Sequence, residues 1–576
     1  MVANNGVPEF ALQLSLLPEE PAPSEAREVR QFSHGVVYTK PWVAEFVLDL
    51  SGYTAAENLV DVVAVEPSCG TGEFLEPMIR RLSASCRRQG RPLMDCAASL
   101  RAFELDPVNV EKSRERATSV LGACGWDASE AREIAEGWVR RADFLLEPTA
   151  EVARADRGVD FVIGNPPYVR LESIDPNLAS TYRRRYGSMA GRADLYIGFY
   201  DRALNSLKPG GVCSYICADR WMLNQYGARL RKLITSGFAV EAVVDMHDAD
   251  AFHDDVLAYP AITVMRRAKQ GRALVARAKR GFDGRSAGAL VDAASHARCG
   301  APDQGGWQDA SCVVVDEWFA GSDPWPCVSP ERLRLLKYLE ANFPPLQDPA
   351  TATRVGIGVA TGADKIFLTK DQNLVEKDRL LPIALAKDTL TGTLQWSGHY
   401  LVNPWDEFGT LVDLRHFPRL RKYFEENLAI LKQRNVAKRN LYHWYRTIDK
   451  VHHALLPTSK LLIPDIKSVA HPVLDDGVLY PHHNLYYVVS DTWDLKVLGG
   501  ILLSRLGQFF VECYAVRMQG GYLRFQAQYL RRIRVPRPET LNPELMRALS
   551  DAFDSRDVEA ANEAAFAAFG IVEIPE

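Results

Sequence analysis

An asparagine, two prolines and a tyrosine follow an apolar run near the middle of the first half of the chain. The run Phe161-Val162-Ile163 is typical of a strand buried on both faces, and the prolines cannot continue its hydrogen-bond ladder. The prolines also fix φ, so the Asn165 amide and the Pro166 carbonyl become a rigid pair of acceptors beside the Tyr168 ring. This pair suits a flat substrate that carries an amine. The alternative is a strand that ends in a proline-rich turn without a chemical role.

A glycine-rich loop with an acidic residue at its start precedes this motif. A predicted strand, Val62–Pro67, leads into the loop Ser68–Gly72, and a helix is expected to open at Glu73. Such a loop brings backbone close to a ligand at the first crossover of a doubly wound sheet. It matches neither the dinucleotide fingerprint nor a phosphate loop. Glu66 would repel phosphate, so the loop favours a cationic ligand.

Two more carboxylates are expected near strand ends. Glu104 lies in the predicted strand Leu100–Asp106, and Asp143 precedes the Asn165 strand by about twenty residues. A carboxylate at the end of the second strand commonly accepts ribose hydroxyls. Because parallel strands present their carboxyl ends at one edge of a sheet, three acids should surround the glycine loop.

These motifs require an α/β fold with a largely parallel sheet. Upstream of the first strand, Trp42, Phe46, Val47 and Leu50 are spaced as on one face of a helix. Thr39 could cap this helix, with Pro41 in its first turn.

Composition limits the class of protein. The 576 residues, 47% hydrophobic and 24% charged, predict two or three soluble globular domains. No apolar run of about 18 residues and no basic-then-apolar leader is present, so we expect a cytoplasmic protein without a membrane span. The cysteines form no CxxC pair, and neither His452-His453 nor His482-His483 has a further ligand at metal spacing. We therefore predict no metal site.

Positive charge is concentrated in the second half of the chain. The net charge is −5, yet residues 351–540 hold 26 Lys and Arg against 18 Asp and Glu. Within them, residues 415–450 carry ten basic and three acidic side chains interleaved with aromatic rings. This pattern indicates a polyanion partner, although a solvated amphipathic helix would have the same charge.

The order of these motifs resembles the gamma class of adenine-N6 DNA methyltransferases, the class of the TaqI enzyme. The resemblance is dense over about residues 33–267 and looser beyond them. It rests on the segments Tyr38-Thr39-Lys40-Pro41, Glu66-Pro67-Ser68-Cys69-Gly70-Thr71-Gly72, Glu104-Leu105-Asp106-Pro107, Ala142-Asp143-Phe144 and Asn165-Pro166-Pro167-Tyr168. The implied fold is a class I, Rossmann-like S-adenosylmethionine-dependent methyltransferase domain, followed by a mixed α/β target-recognition domain.

The resemblance implies S-adenosylmethionine as the methyl donor. Thr39 and Glu66 would lie near its methionine part, Glu104 would accept from the ribose, and Asp143 would accept from the adenine amine. Leu105 and Phe199 would sandwich the adenine ring. The complete implied set of cofactor-binding residues is Thr39, Glu66, Cys69, Gly70, Gly72, Glu104, Leu105, Asp143 and Phe199.

The resemblance also implies a target base that leaves the duplex. The exocyclic amine of adenine is a poor nucleophile, and two acceptors on its hydrogens would localise its lone pair. The base must swing out of the helix and be held by stacking, by Tyr168 and Phe252. Phe252 as an ordinary core residue is the alternative. The implied catalytic set is Asn165, Pro166, Pro167, Tyr168 and Phe252.

The expected domains are a mobile tail (1–30), the methyltransferase domain (31–325) and a target-recognition domain (326–576). Within the last, the glycine-rich stretch from Arg354 to Lys365 favours a hairpin turn over a nucleotide loop. By resemblance, the DNA-binding residues are Arg354, Lys365, Lys467 and Arg524. The expected partners are double-stranded DNA and, functionally, a restriction endonuclease, and we expect the enzyme to act as a monomer.

Three other functions share parts of this pattern. Cytosine-N4 methyltransferases use a similar site, although serine is commoner than asparagine at its first position. Protein-glutamine and RNA-guanine methyltransferases also carry Asn-Pro-Pro-Tyr, but they lack a recognition domain of this size. A DNA-binding subunit without catalysis is the non-enzymatic alternative, and the intact acids argue against it.

Overall fold

The computed structural model describes residues 37–152, 158–253, 259–298, 306–307, 309–326, 328–515 and 522–575. The predicted N-terminal tail, residues 1–30, lies outside the described residues. The chain folds as two compact units that divide between Trp325 and Pro326. None of the described helices is both long and apolar enough to cross a membrane.

The first unit is an α/β unit built around one large sheet. Its helices are α1 (Pro41–Ser51), α2 (Leu75–Arg88), α3 (Pro107–Ala123), α4 (Ala128–Trp138), α5 (Thr149–Val152), α6 (Pro176–Arg185), α7 (Tyr196–Ser206), α8 (Arg220–Leu223), α9 (Ala228–Gly237) and α10 (Gly284–Arg298). Its strands are β1 (Ala64–Glu66), β2 (Leu100–Glu104), β3 (Val139–Arg141), β4 (Val159–Gly164), β5 (Leu207–Ala218), β6 (Ala239–Asp245), β7 (Pro260–Arg266), β8 (Ala273–Ala278), β9 (Gly306–Trp307) and β10 (Ala310–Val315). The predicted strand that ends at Asn165 is confirmed as β4.

The sheet runs in the order β3-β2-β1-β4-β5-β7-β6-β8-β10-β9. The first five strands are parallel, in the order of a doubly wound sheet, whereas β7 is antiparallel to both β5 and β6. The central strands β1 and β4 pair Val65 with Val162. A buried carboxylate fixes this pairing, because Asp160 Oδ2 accepts a hydrogen bond from the Val63 N–H at 2.9 Å. The carboxyl ends of β1, β2 and β4 therefore share one edge.

Helix α1 packs in the main hydrophobic cluster through Phe46, Val47 and Leu50, as its spacing predicts. The predicted cap is wrong. The helix is preceded by Lys40, without a side-chain cap, and Gly52 ends it with φ +82°. Thr39 is the residue before the cap position, and its hydroxyl accepts a hydrogen bond from Asn165 Nδ2.

The second unit contains three small sheets and a helical end. Its helices are α11 (Pro330–Asn342), α12 (Asp364–Phe367), α13 (Pro418–Glu426), α14 (Leu428–Gln433), α15 (Asn435–Arg439), α16 (Leu495–Leu503), α17 (Arg505–Tyr514), α18 (Ala527–Leu530), α19 (Pro543–Ser555) and α20 (Val558–Phe569). Its strands are β11 (Arg354–Ile357), β12 (Leu368–Thr369), β13 (Leu380–Ala384), β14 (Tyr400–Val402), β15 (Lys460–Pro464), β16 (Ile466–Lys467), β17 (Val473–Asp475), β18 (Tyr480–Pro481), β19 (Leu485–Val489) and β20 (Leu523–Arg524).

The sheets of the second unit bring distant segments together. Their orders are β11-β19-β15-β17, β12-β14-β13-β18 and β16-β20. The glycine-rich stretch predicted to form a hairpin does not do so. Its first part is β11, which pairs with β19 more than a hundred residues away, and its last part enters the short helix α12. Local glycine spacing suggested a turn, but long-range pairing decides the structure.

Candidate active site

The glycine loop after β1 is tied to the end of β2. The Cys69 N–H donates to the Phe103 carbonyl at 2.9 Å, and the Gly70 N–H donates to Glu104 Oε2 at 2.9 Å. Gly70 and Gly72 have φ values of +53° and +97°, which are strained for residues with a side chain. Burial raises the pKa of the Cys69 thiol, so this side chain stays neutral. The loop is thus a fixed backbone wall rather than a source of a nucleophile.

Replacing Gly72 by alanine should destabilise this loop. A Cβ at Gly72 would lie 3.1 Å from Arg116 Cδ, and φ +97° is unfavourable for alanine. We expect the free energy of unfolding to fall by about 1–2 kcal/mol. Gly237→Ala is the matched control, because its Cβ would meet nothing within 4 Å and its φ is not positive. Denaturant unfolding measures the free energy of unfolding of both variants. Equal losses in the two would contradict the requirement for glycine at position 72 of the loop.

Glu66, at the end of β1, is the most unusual charge in the first unit. It is 1% exposed, and its Oε2 atom has no hydrogen-bond partner among the described residues. Burial raises its pKa well above the usual value, and the nearby carboxylates of Glu73 and Glu104 raise it further, against an opposing effect of Arg116. A cation bound beside Glu66 would offset both the desolvation cost of its carboxylate and the repulsion by Glu73 and Glu104.

The other two predicted acids are held by hydrogen bonds. The Glu104 carboxylate accepts from the backbone N–H groups of Gly70, Leu105 and Asp106 at 2.8–2.9 Å. Asp143 accepts from the Leu145 N–H at 2.8 Å and from the Tyr182 hydroxyl at 2.6 Å. These bonds fix the direction of each carboxylate. No sequence signal connected Tyr182, on α6, with Asp143.

Asn165 follows β4 directly, and two hydrogen bonds donated by its side-chain nitrogen orient the amide. Nδ2 donates to the Val37 carbonyl at 3.0 Å and to Thr39 Oγ1 at 3.1 Å. The Oδ1 atom is buried and has no partner among the described residues. The Ser68 hydroxyl donates to the Asn165 carbonyl at 3.0 Å, which joins the glycine loop to the end of β4. An acceptor is therefore held in a fixed position with its lone pairs free.

A cavity of about 520 Å³ connects these groups. Eleven of the predicted catalytic and cofactor-binding residues line it, namely Thr39, Glu66, Cys69, Gly70, Glu104, Leu105, Asp143, Asn165, Pro166, Pro167 and Phe199. Phe144 also lines it and stacks on Phe199 with ring centroids 5.5 Å apart. Further lining residues that no local signal indicated include Asn109, Leu178 and Tyr182.

Three predicted residues do not line the cavity: Gly72, Tyr168 and Phe252. The Tyr168 ring packs edge to face against Tyr196, with centroids 6.4 Å apart. Phe252 is 8% exposed and belongs to the main hydrophobic cluster. It nevertheless forms a strand bridge with Thr39, the residue that anchors the Asn165 amide. The arrangement gives Phe252 the packing of a core residue, next to the site rather than in its wall.

The predicted DNA-binding residues fall into separate parts of the second unit. Arg354 is exposed on β11, and Lys365 is exposed on α12. Lys467 and Arg524 lie on the paired strands β16 and β20, so the fold brings these two together. The Arg524 guanidinium forms an ion pair with Asp465, whereas burial lowers the pKa of Lys467.

The pair His482-His483 has a potential third ligand that the sequence did not show. Asp364 Oδ2 lies 3.3 Å from His482 Nε2, and His483 Nδ1 lies 3.0 Å from the same nitrogen. The ligand atoms of the three residues lie within 4.8 Å of one another. The spacing in the sequence did not show this third ligand, because Asp364 is more than a hundred residues from the histidine pair and meets it only through folding. His482 Nδ1 is buried without a partner, whereas a metal-bound histidine usually donates from its other nitrogen.

Comparison with known proteins gives matches that extend over nearly the whole chain. The type II methyltransferase M.PaeR7I of Pseudomonas aeruginosa is 42% identical over 543 residues, which cover 94% of this chain and 92% of that protein. M.XhoI of Xanthomonas vasicola is 40% identical over 547 residues, covering 94% and 97%. A family model described as Eco57I restriction-modification methylase matches residues 114–252.

Among solved structures, the type IIL restriction-modification enzyme MmeI in complex with DNA shares the fold. Its TM-score is 0.55 at 12% sequence identity, over 92% of this chain and 74% of that one. At this identity the likeness concerns the fold alone. The whole-length relatives, at 40% identity or more, carry the assignment of the family. The chain belongs to the type II DNA methyltransferases of restriction-modification systems.

Proposed function

We propose that this DNA methyltransferase transfers a methyl group from S-adenosylmethionine to N6 of adenine in a short duplex site. The gamma-class assignment is part of the proposal. The observation that carries it is the Asn165 amide, whose nitrogen is engaged by Val37 and Thr39 while its buried oxygen has no partner. An oxygen oriented in this way is suited to accept a hydrogen bond from an amine.

The charges of the cavity support S-adenosylmethionine as the donor. The bound cofactor would supply a methyl group on a cationic sulfur, and it also carries an amino group. Glu66 offers an unpartnered, buried carboxylate oxygen to a cation, and the neighbouring acids exclude a phosphate ligand. Glu104, at the end of β2, would accept from ribose hydroxyls. The rings of Phe144 and Phe199 form an apolar part of the cavity wall. Leu105 also lines the cavity, and its side chain is 61% exposed.

The chain's own contribution to the reaction would be positioning. Asn165 Oδ1 and the Pro166 carbonyl would accept from the two hydrogens of the target amine, which localises the nitrogen lone pair and directs it at the methyl group. Fixed dipoles need no reorganisation during transfer, and they favour the positive charge that develops on the amine. Pro167 fixes the turn, and Tyr168 is the proposed stacking partner of the base after a side-chain movement. The base must leave the duplex to reach this depth.

Sequencing of modified bases tests this function. DNA from cells that express the chain alone should contain N6-methyladenine in one short motif, and DNA from cells expressing Asn165→Ala should not. Hydrolysis of the same DNA and analysis of its nucleosides distinguishes N6-methyladenine from N4-methylcytosine. N4-methylcytosine in that motif would overturn the adenine assignment while keeping the family.

A further inference from the structure

An exposed basic segment of the second unit has features that the proposed site does not use. We call residues 432–443 the basic tip. It comprises the end of α14, the helix α15 and a 3₁₀ turn at Leu441–His443. It contains four Lys and Arg side chains and no acidic residue. The composition of residues 415–450 indicated a polyanion partner but did not separate this segment from its neighbours.

The exposed cations of the basic tip form no ion pair among the described residues, unlike Arg421 and Lys422 on α13. Lys432, Lys438 and Arg439 are exposed and form no ion pair with any described residue. On α13, by contrast, Arg421 pairs with Glu425 at 2.7 Å and Lys422 with Glu426 at 3.9 Å. The sequence did not decide whether residues 415–450 form a solvated helix or a binding surface, and in the structure different parts of the segment differ in this respect. Two of the three cations of α13 are thus paired within the helix, whereas Lys432, Lys438 and Arg439 remain available to a partner.

The aromatic residues divide in the same way. Trp444 and Tyr445 pack against the hydrophobic cluster of the second unit, as Phe417 and Tyr423 do. Leu441 and Tyr442, in contrast, are 66% and 90% exposed. Large apolar side chains placed side by side on a charged surface usually mark an interaction site.

The basic tip is also held firmly at its base. The Arg434 guanidinium donates to the carbonyls of Thr361 and Trp444, both at 2.8 Å, and lies over the Phe367 ring at 5.0 Å. The Asn440 side chain accepts from the Tyr442 N–H at 3.2 Å and caps the turn. The exposed side chains therefore project from an ordered scaffold that loses little entropy on binding.

We propose that the basic tip is a DNA contact in which Lys438 and Arg439 bind backbone phosphates and Tyr442 enters a groove. Unpaired cations match a phosphate backbone, and an exposed aromatic ring that follows them in the chain can contact sugars and base edges. Arg434 is a positioning residue that orients the tip. The inference rests on the proposed function, methylation of a duplex site, and on the expectation from the sequence that residues 326–576 recognise that duplex. It adds a contact to the four DNA-binding residues expected from the sequence.

The salt dependence of duplex binding tests the phosphate contacts. Lys438→Ala/Arg439→Ala removes two of them, so the slope of log K against log salt concentration should become shallower by about 1.8. Arg421→Ala/Lys422→Ala removes the same charge from paired, exposed positions and should leave the slope nearly unchanged. Equal changes in the two double variants, or no change in either, would overturn the proposal.

A single substitution tests the ring. Tyr442→Ala should weaken binding of the cognate duplex about tenfold, the factor of one contact of about 1.4 kcal/mol, with an unaltered salt slope. Phe408→Ala is the control, because Phe408 is 81% exposed but lies outside the tip. Unchanged affinity of Tyr442→Ala would overturn the role of the ring. Binding is measured without methyl transfer, so a wrong assignment of the methylated base would not affect either comparison.

Discussion

Asn165→Ala is expected to lower the rate of methyl transfer at least about a thousandfold, while the affinity for S-adenosylmethionine changes by less than about threefold. The variant removes the unpartnered Oδ1 acceptor and leaves the wall formed by Glu66, Glu104 and the glycine loop. Single-turnover methylation of a cognate duplex measures the rate. Calorimetric titration of the cofactor measures the affinity.

Thr39→Val separates the orientation of the amide from the presence of its oxygen. It deletes one of the two acceptors of Asn165 Nδ2, at 3.1 Å, and keeps Oδ1 and the bond to the Val37 carbonyl. We expect a loss of about tenfold in rate, because the amide becomes less constrained without losing its acceptor. A Thr39→Val enzyme as slow as Asn165→Ala, or an Asn165→Ala enzyme with wild-type activity, would contradict the assigned role.

Glu66→Gln is expected to have opposite effects on binding and on stability. Loss of a charge-assisted hydrogen bond should weaken cofactor binding by roughly 10- to 100-fold. The same change should raise the melting temperature of the cofactor-free enzyme, since it removes a buried negative charge from beside Glu73 and Glu104. Differential scanning calorimetry with and without cofactor measures both effects.

The pH dependence follows from the raised pKa of Glu66. The folded state holds the proton more tightly than the unfolded state, so this group contributes stability below its unfolded pKa and loses it as pH rises through the folded pKa. Cofactor binding should show the opposite trend and weaken as pH falls, because the neutral acid no longer attracts a cation. The Gln variant should lack both trends.

A matched control uses a carboxylate of the same cluster. Glu76 accepts from Arg116, as Glu73 does, but does not line the cavity. Glu76→Gln should therefore leave cofactor affinity unchanged. If Glu66→Gln bound the cofactor as tightly as Glu76→Gln, the buried carboxylate would not be part of the cofactor site.

Local pattern was enough to place the strand ends and the residues next to them. The apolar run before Asn165 and the run before the glycine loop each combine a strand signal with residues that stop a strand. The strand before Asn165 ends where predicted, and β1 ends at Glu66, one residue before its predicted end. Contacts between distant residues were not predictable in this way. The bond from Tyr182 to Asp143 and the meeting of Asp364 with His482 depend on how helices and strands pack, which no spacing encodes.

Thr39 shows most clearly that a local pattern does not predict contacts between distant residues. Its position before Pro41 suggested a helix cap, a local role, yet its hydroxyl accepts from a side chain more than a hundred residues away. The aromatic residues of 415–450 show the same limit. The charges and aromatic rings of this segment fit a solvated helix and a binding surface equally well. Only the burial seen in the structure separates the exposed Tyr442 from the packed Trp444 and Tyr445.

The bridge between Thr39 and Phe252 has a consequence for the biogenesis of the enzyme. The Lys40 N–H donates to the Ala251 carbonyl at 3.0 Å, and the His253 N–H donates to the Tyr38 carbonyl at 3.1 Å. The described residues that line the cavity all precede position 200, whereas this bridge needs residues 251–253, which are synthesised later. Closure of so long a loop is slow and late in folding. The segment 37–40, which holds the Asn165 amide, is therefore secured to residues 251–253 only after the described lining residues have been synthesised.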